Sequence, residues 1–260
     1  MRIRSVEWFR HLILFAIVGL FCIPIIELIR TSFARGGLQN YVDALTKIDL
    51  LRNLLNSTIV TGCTVLLVLL ITLPAAFAFS KMRFPLKNVL FLLILLALMI
   101  PGIAIAVPVV QIIRLFDWFN RYGALIFPYT ALLAPFGLVL AKGFMDQLPK
   151  EMQEASLVDG CSVFQSFVRI YLPLTKPIAM IVTVFTFLGS WNEFLFAMLF
   201  MRKATMQMVT TIPIKFQVDF VTNLPGLFAA LVIIQLPILI LYILFQKYFK
   251  EGLTAGAVKS

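Results

Sequence analysis

Histidine is almost missing from this chain: His11 is the only one in 260 residues. Paired-histidine metal sites and histidine-based triads are therefore excluded. The three cysteines, Cys22, Cys63 and Cys161, form neither a CxxC nor any other metal-ligand spacing, and read as small packing residues. Charge is scarce as well. Asp, Glu, Lys and Arg make up 13% of the chain, against ~25% in a soluble domain. There is no GxxxxGK[ST] phosphate loop, so the chain is not expected to hydrolyse ATP itself. There is also no HExxH and no GxSxG, which removes the metalloprotease and α/β-hydrolase readings. Neither an internal repeat nor a low-complexity segment occurs.

What fills the chain is apolar. Hydrophobic residues make up 61% and the mean hydropathy is +1.00, so the expected fold class is an all-α integral membrane protein. Six spans are read, at about 12–31, 54–79, 88–113, 122–142, 178–201 and 224–246. The first follows Arg2, Arg4 and Arg10. It is too long, and followed by residues too bulky, for a cleaved secretory signal. Residues 32–53 read as a polar loop. Pro101-Gly102 and Pro108 interrupt the third span, and prolines also stand in spans 1, 4 and 6.

Six spans put both termini on one side. The N-terminus, the turn around Pro85, the 142–176 connection and the tail hold 13 of the 22 Lys and Arg residues. That bias places the termini in the cytoplasm. The net charge of +10 then reflects basic inner loops rather than nucleic-acid binding.

The stretch 148–177 stands apart. It carries Lys150, Glu151, Glu154, Asp159, Arg169 and Lys176 between two apolar spans. The spacing predicts a helix ending at Asp159-Gly160, where Gly takes a left-handed turn. Ser162 is expected to cap a second helix. Val163, Phe164, Phe167, Ile170 and Tyr171 form its apolar face, and Pro173 and Pro177 close the unit. The result is a cytoplasmic helix-turn-helix along the membrane surface with one face free.

Two carboxylates lie in spans. Glu27 is expected to reach the surface or pair with Arg30. Glu193, deeper, sits in Trp191-Asn192-Glu193-Phe194-Leu195-Phe196. An intramembrane carboxylate needs a wet cavity or a partner. It is read either as part of a pathway-lining or gating cluster or as a helix-packing contact between subunits. An ion- or proton-coupled secondary transporter using Glu193 and Glu27 is the alternative function. It would call for inverted repeats, which the sequence does not display. An intramembrane enzyme or scaffold lacks any catalytic pair.

Glu154-Ala155-Ser156-Leu157-Val158-Asp159-Gly160, followed by Phe167, Ile170, Leu172-Pro173-Leu174 and Pro177, resembles the EAA loop of ATP-binding cassette importer permeases. Ser156 and Cys161 stand where that pattern usually has alanine. Trp191 to Ala197 looks like the fifth-span motif of carbohydrate-importer permeases. The tail from Gly252 to Ser260 is similar to the end of the maltose-type second permease subunit, and Asn56-Ser57 and Pro74 to Lys81 also fit. The resemblance implies a type I importer permease fold, a single permease domain over residues 1–260, and a non-catalytic role in the plasma membrane of a bacterium or archaeon. It implies a second permease subunit, two ATPase subunits and an extracytoplasmic solute-binding protein as partners. ATP and Mg would be bound on the ATPase, with no cofactor on this chain. Glu154, Ala155, Ser156, Asp159, Gly160, Phe164 and Phe167 would couple to the ATPase. Trp191, Asn192 and Glu193 would line or gate the pathway, and Gly252, Thr254 and Gly256 would approach the ATPase from the tail. The solute is expected to be a sugar or related polyol.

Overall fold

The computed structural model describes the backbone of residues 2–217 and 223–257, and the side chains of residues 8, 10–46, 48–216 and 223–247. The described residues are helical, in the order α1 (Arg2–Ser32), α2 (Gln39–Lys47), α3 (Leu50–Lys81), α4 (Lys87–Ala97), α5 (Ala106–Leu115), α6 (Gly123–Gln147), α7 (Glu151–Val158), α8 (Val163–Ser166), α9 (Leu172–Leu174), α10 (Lys176–Trp191), α11 (Leu195–Phe200), α12 (Ile212–Gln217) and α13 (Leu224–Ala257). Among the described residues four helices are long and apolar enough to cross a membrane, and six spans result if each of two bent helix pairs counts as one. The chain divides into two compact units, residues 1–51 with 212–236, and 52–211 with 237–260.

In the first unit the expected polar loop contains a helix. The Asn40 amide donates to the carbonyls of Ser32 and Ala34, both at 2.9 Å, closing the turn that follows α1. The hydroxyls of Ser32 and Tyr41 meet at 2.6 Å. Gly37 takes φ +58° there, a conformation glycine adopts without strain. These bonds satisfy the α1 terminus and start α2. Glu27 pairs with Arg30 at 3.6 Å, both exposed, as the spacing predicts. Lys215 donates to the Ile48 carbonyl at 3.4 Å. Burial holds its ammonium below the usual lysine range, opposed in part by Asp49.

The second unit holds the element pairs that matter for function. The third span breaks where Pro101 stands. α4 ends at Ala97, Pro101 is extended, Gly102–Ile105 form a 3-10 turn, and the two halves bend by 95°. Proline supplies no N–H and disfavours helix at the residue before it, so the break is local chemistry. α3, α6 and α10 pack where Gly137 lets them approach. A Cβ there would stand 3.0 Å from Val182 and 3.3 Å from Thr72, the small-residue device of membrane helices. α3 turns a polar face inward: Asn53, Asn56, Ser57, Thr61, Thr64 and Thr72 are all buried. Two apolar clusters flank this crossing. One joins Val60, Leu125, Tyr129, Phe196 and Phe200, the other Phe77, Met145, Phe167 and Tyr171.

Candidate functional site: the surface loop and the break in the fifth span

The loop element is rigid by its own hydrogen bonds. At the end of α7 the Gly160 N–H donates to Leu157 and the Cys161 N–H to Ser156, at 3.1 and 2.9 Å. With Gly160 at φ +81° this is a Schellman closure. Ser162 then caps α8. Its hydroxyl accepts from the Gln165 N–H at 3.2 Å and its own N–H donates to Gln165 Oε1 at 2.9 Å. That is a full capping box; the sequence reading found only its Ser162 half. The expected second helix is not continuous. α8 passes into a π-helical turn over Phe167–Tyr171 before α9. Pro173 brings no N–H for the Arg169 carbonyl, and a widened turn accommodates its ring. The expected apolar face divides. Phe167 and Tyr171 are buried, whereas Val163 and Phe164 are exposed.

The seven coupling candidates therefore divide. Ser156 and Phe167 are interior. Phe167 packs on Phe77 of α3 with ring centroids 5.2 Å apart, and the Ser156 hydroxyl lies 2.7 Å from the Gln153 carbonyl and 2.9 Å from Ser166 Oγ, which compete for its one proton. Glu154, Ala155, Asp159, Gly160 and Phe164 are exposed. Phe164 is 73% exposed and Val158, which the sequence reading passed over, 88%. Both of these bare apolar side chains lie on the charged loop. Ser156→Ala is expected to cost about 1 kcal/mol. The double variant with Ser166→Ala should cost less than the two single losses added, checked by thermal unfolding in detergent.

At the other candidate site α10 ends at Trp191 and the chain restarts as α11. The Glu193 carboxylate makes that restart. Oε2 accepts from the Tyr129 hydroxyl at 2.7 Å and from the N–H groups of Phe196 and Ala197 at 3.0 and 3.3 Å, and Oε1 accepts from Phe196 at 3.1 Å. A carboxylate on the free amides of a helix N-terminus is favoured by both hydrogen bonding and the helix dipole. Thr210 donates to the Glu193 carbonyl at 3.0 Å. Trp191 is 2% exposed and stacks on Phe187 with centroids 5.2 Å apart. Of the three candidates only Asn192 is exposed, its amide donating to Leu188 of its own helix. The cavity beside Glu193, lined by Ser57, Thr61, Tyr129, Ser190 and Thr210, measures about 10 Å³. That suits one water, whereas small-molecule sites run to about 300–1,000 Å³. A groove of about 390 Å³ opens at the third-span bend, but Ile100, Ile105, Val109, Phe127 and Leu132 make it apolar.

Sequence reasoning missed Tyr129, a span residue with no local signal, and the reach of Asn56. The Asn56 amide donates to the carbonyls of Thr205 and Gln207 at 3.1 and 3.0 Å, and its Oδ1 accepts from the Tyr122 hydroxyl at 2.8 Å. The tail candidates Gly252, Thr254 and Gly256 fall on the α13 backbone but outside the described side chains.

Residues 68–254 match the family described as binding-protein-dependent transport system inner membrane component. Among similar proteins, the probable ABC transporter permease protein YurM of Bacillus subtilis is 36% identical over 79% of this chain and 68% of its own length. The diacetylchitobiose uptake system permease protein DasC of Streptomyces coelicolor is 35% identical over 78% of this chain and 74% of its own. The trehalose/maltose transport system permease protein MalG of Thermococcus litoralis is 33% identical over 95% and 94%. The fold matches a chain in the crystal structure of a bacterial ABC transporter involved in the import of the acidic polysaccharide alginate, with TM-score 0.81 at 19% identity over 96% of this chain and 98% of that one. This chain belongs to the inner membrane component family of binding-protein-dependent transport systems, as the non-catalytic permease of an ABC importer.

Proposed function

We propose that this permease imports a sugar or related polyol. In this reading it forms half of a translocation pathway with a second, related permease. An extracytoplasmic binding protein delivers the solute, and two ATPase subunits, carrying ATP and Mg, grip residues 146–177. Both termini lie in the cytoplasm, and Gly252, Thr254 and Gly256 approach the ATPase pair. The observation that carries the coupling assignment is the loop itself. Its turn and cap are closed by its own hydrogen bonds, and it exposes Glu154 and the apolar side chains of Val158 and Phe164. The solute class is supported by the names of relatives, which include uptake proteins for diacetylchitobiose, trehalose/maltose and melibiose/raffinose/stachyose. Glu193 acts as a structural cap, and Asn192 is the member of its cluster left to face a solute.

Reconstitution in proteoliposomes with the partner permease, the ATPase and the binding protein tests the reading. Uptake of a radiolabelled oligosaccharide should require ATP inside and binding protein outside, and should survive a protonophore. Uptake that ignores ATP and collapses with the proton gradient would instead establish the secondary-transporter alternative.

A further inference from the structure

A lysine at the end of a membrane span usually lays its stem on apolar surface and puts its ammonium into water. Lys81, the last residue of α3, folds back instead. It is half-buried, and its Nζ donates to the Leu148 carbonyl at 2.6 Å. Leu148 has left α6 for an extended conformation, φ −74° and ψ 137°, so its carbonyl has no acceptor role inside that helix. The same ammonium stands 5.7 Å from the centre of the Tyr171 ring, within cation–π range. Tyr171 is fully buried, and its hydroxyl donates to the next carbonyl, that of Pro149, at 3.4 Å. One turn before Lys81, Phe77 packs on Tyr171 with ring centroids 5.0 Å apart. Three pieces of chain meet at one ammonium: the end of α3, the exit from α6 and the second half of the loop element.

The peptide chain joins the loop element to α6 on one side and α10 on the other. α3 has no covalent link to it. We infer that Lys81 is a positioning residue for energy coupling, latching the end of α3 to the loop element so that a displacement imposed by the ATPase reaches α3 as well. This rests on the proposed role of residues 146–177 as the ATPase contact. The consequence is long in reach. About 38 Å along the same helix, Asn56 holds the carbonyls of Thr205 and Gln207 and the Tyr122 hydroxyl. α3 therefore connects the loop element to the connections at the far end of the unit.

The test uses the assembled transporter in proteoliposomes and reads ATP hydrolysed per solute imported. Lys81→Met keeps the length of the stem and removes the ammonium. It should retain the ATPase on purification and raise the ratio about tenfold, the scale of one lost charge-assisted bond. Lys81→Arg, which keeps a cation and donors, should bring it back to within about twofold of wild type. A Lys81→Met transporter with an unchanged ratio overturns the inference, because a merely structural lysine would alter thermal stability without altering the ratio. If Lys81→Met does not insert, Lys81→Gln is read in its place by the same criterion. Glu154→Lys runs in parallel. If it binds the ATPase and couples normally, the assignment of the loop has failed, whatever the Lys81 variants do.

Discussion

Glu193→Ala is expected to abolish transport and to unfold at markedly lower temperature, whereas Glu193→Gln should transport within about threefold of wild type. The carboxylate supplies the acceptor for a buried tyrosine hydroxyl and for the amides that open α11. Alanine removes all of these at once. Each buried donor left without an acceptor costs about 1–3 kcal/mol, so for the three donors the loss is roughly 3–9 kcal/mol before any rearrangement of the α10–α11 break. Glutamine keeps an amide oxygen that can take the place of Oε2, so most of the cap survives. The comparison separates a cap from a charge. If the glutamine variant were as inactive as the alanine variant, with its melting temperature preserved, the negative charge itself would be needed for transport and capping would not be the whole role of Glu193. Melting in detergent and uptake in proteoliposomes, run on the same preparations, decide it.

The second large effect is expected in the loop element. Glu154 is exposed and lies in the first turn of α7. Reversing its charge costs the fold at most about 1 kcal/mol through the helix dipole. Glu154→Lys should therefore insert and melt nearly as wild type, yet lose the ATPase on purification and transport at least tenfold more slowly, the scale of an interface hot spot. Gly160→Pro attacks the element from inside. Proline is fixed near φ −65°, whereas Gly160 stands at φ +81° and its N–H bonds the Leu157 carbonyl. About 3 kcal/mol or more of local structure should go, opening residues 156–162 to protease while the spans stay intact. Normal ATPase retention and transport in both variants would remove the loop from the coupling path.

What could be read from the residues beforehand was what local chemistry decides. The left-handed turn at Gly160, the cap at Ser162 and the break at Pro101 each follow from one residue and its immediate neighbours. The six apolar segments and the family resemblance needed only composition and motif. The break after Trp191 was missed because no proline or glycine stands between Trp191 and Phe200 to end a helix. What divides it is Glu193, stabilised by Tyr129, 64 residues away in sequence. Asn56 and Lys81 likewise act on carbonyls 149 and 67 residues distant, and no periodicity announces such bonds. The π-helical turn was missed for a different reason. The positions of Val163, Phe164, Phe167, Ile170 and Tyr171 fit a 3.6-residue period, and only the ring of Pro173 makes the turn widen.

The close approach at Gly137 has a mechanical side. α6 touches α3 and α10 there, and Pro135, two residues earlier, leaves the Ala131 carbonyl without its helical N–H. Bearing and flexure coincide. The arm from Gly137 to Gln147 is about 15 Å and the arm to Gly123 about 21 Å. Were α6 to tilt about this contact without bending at Pro135, each ångström moved at the loop end would become about 1.4 Å at the opposite end. A bulkier residue at 137 would shim the bearing and shorten the stroke even in a protein that folds.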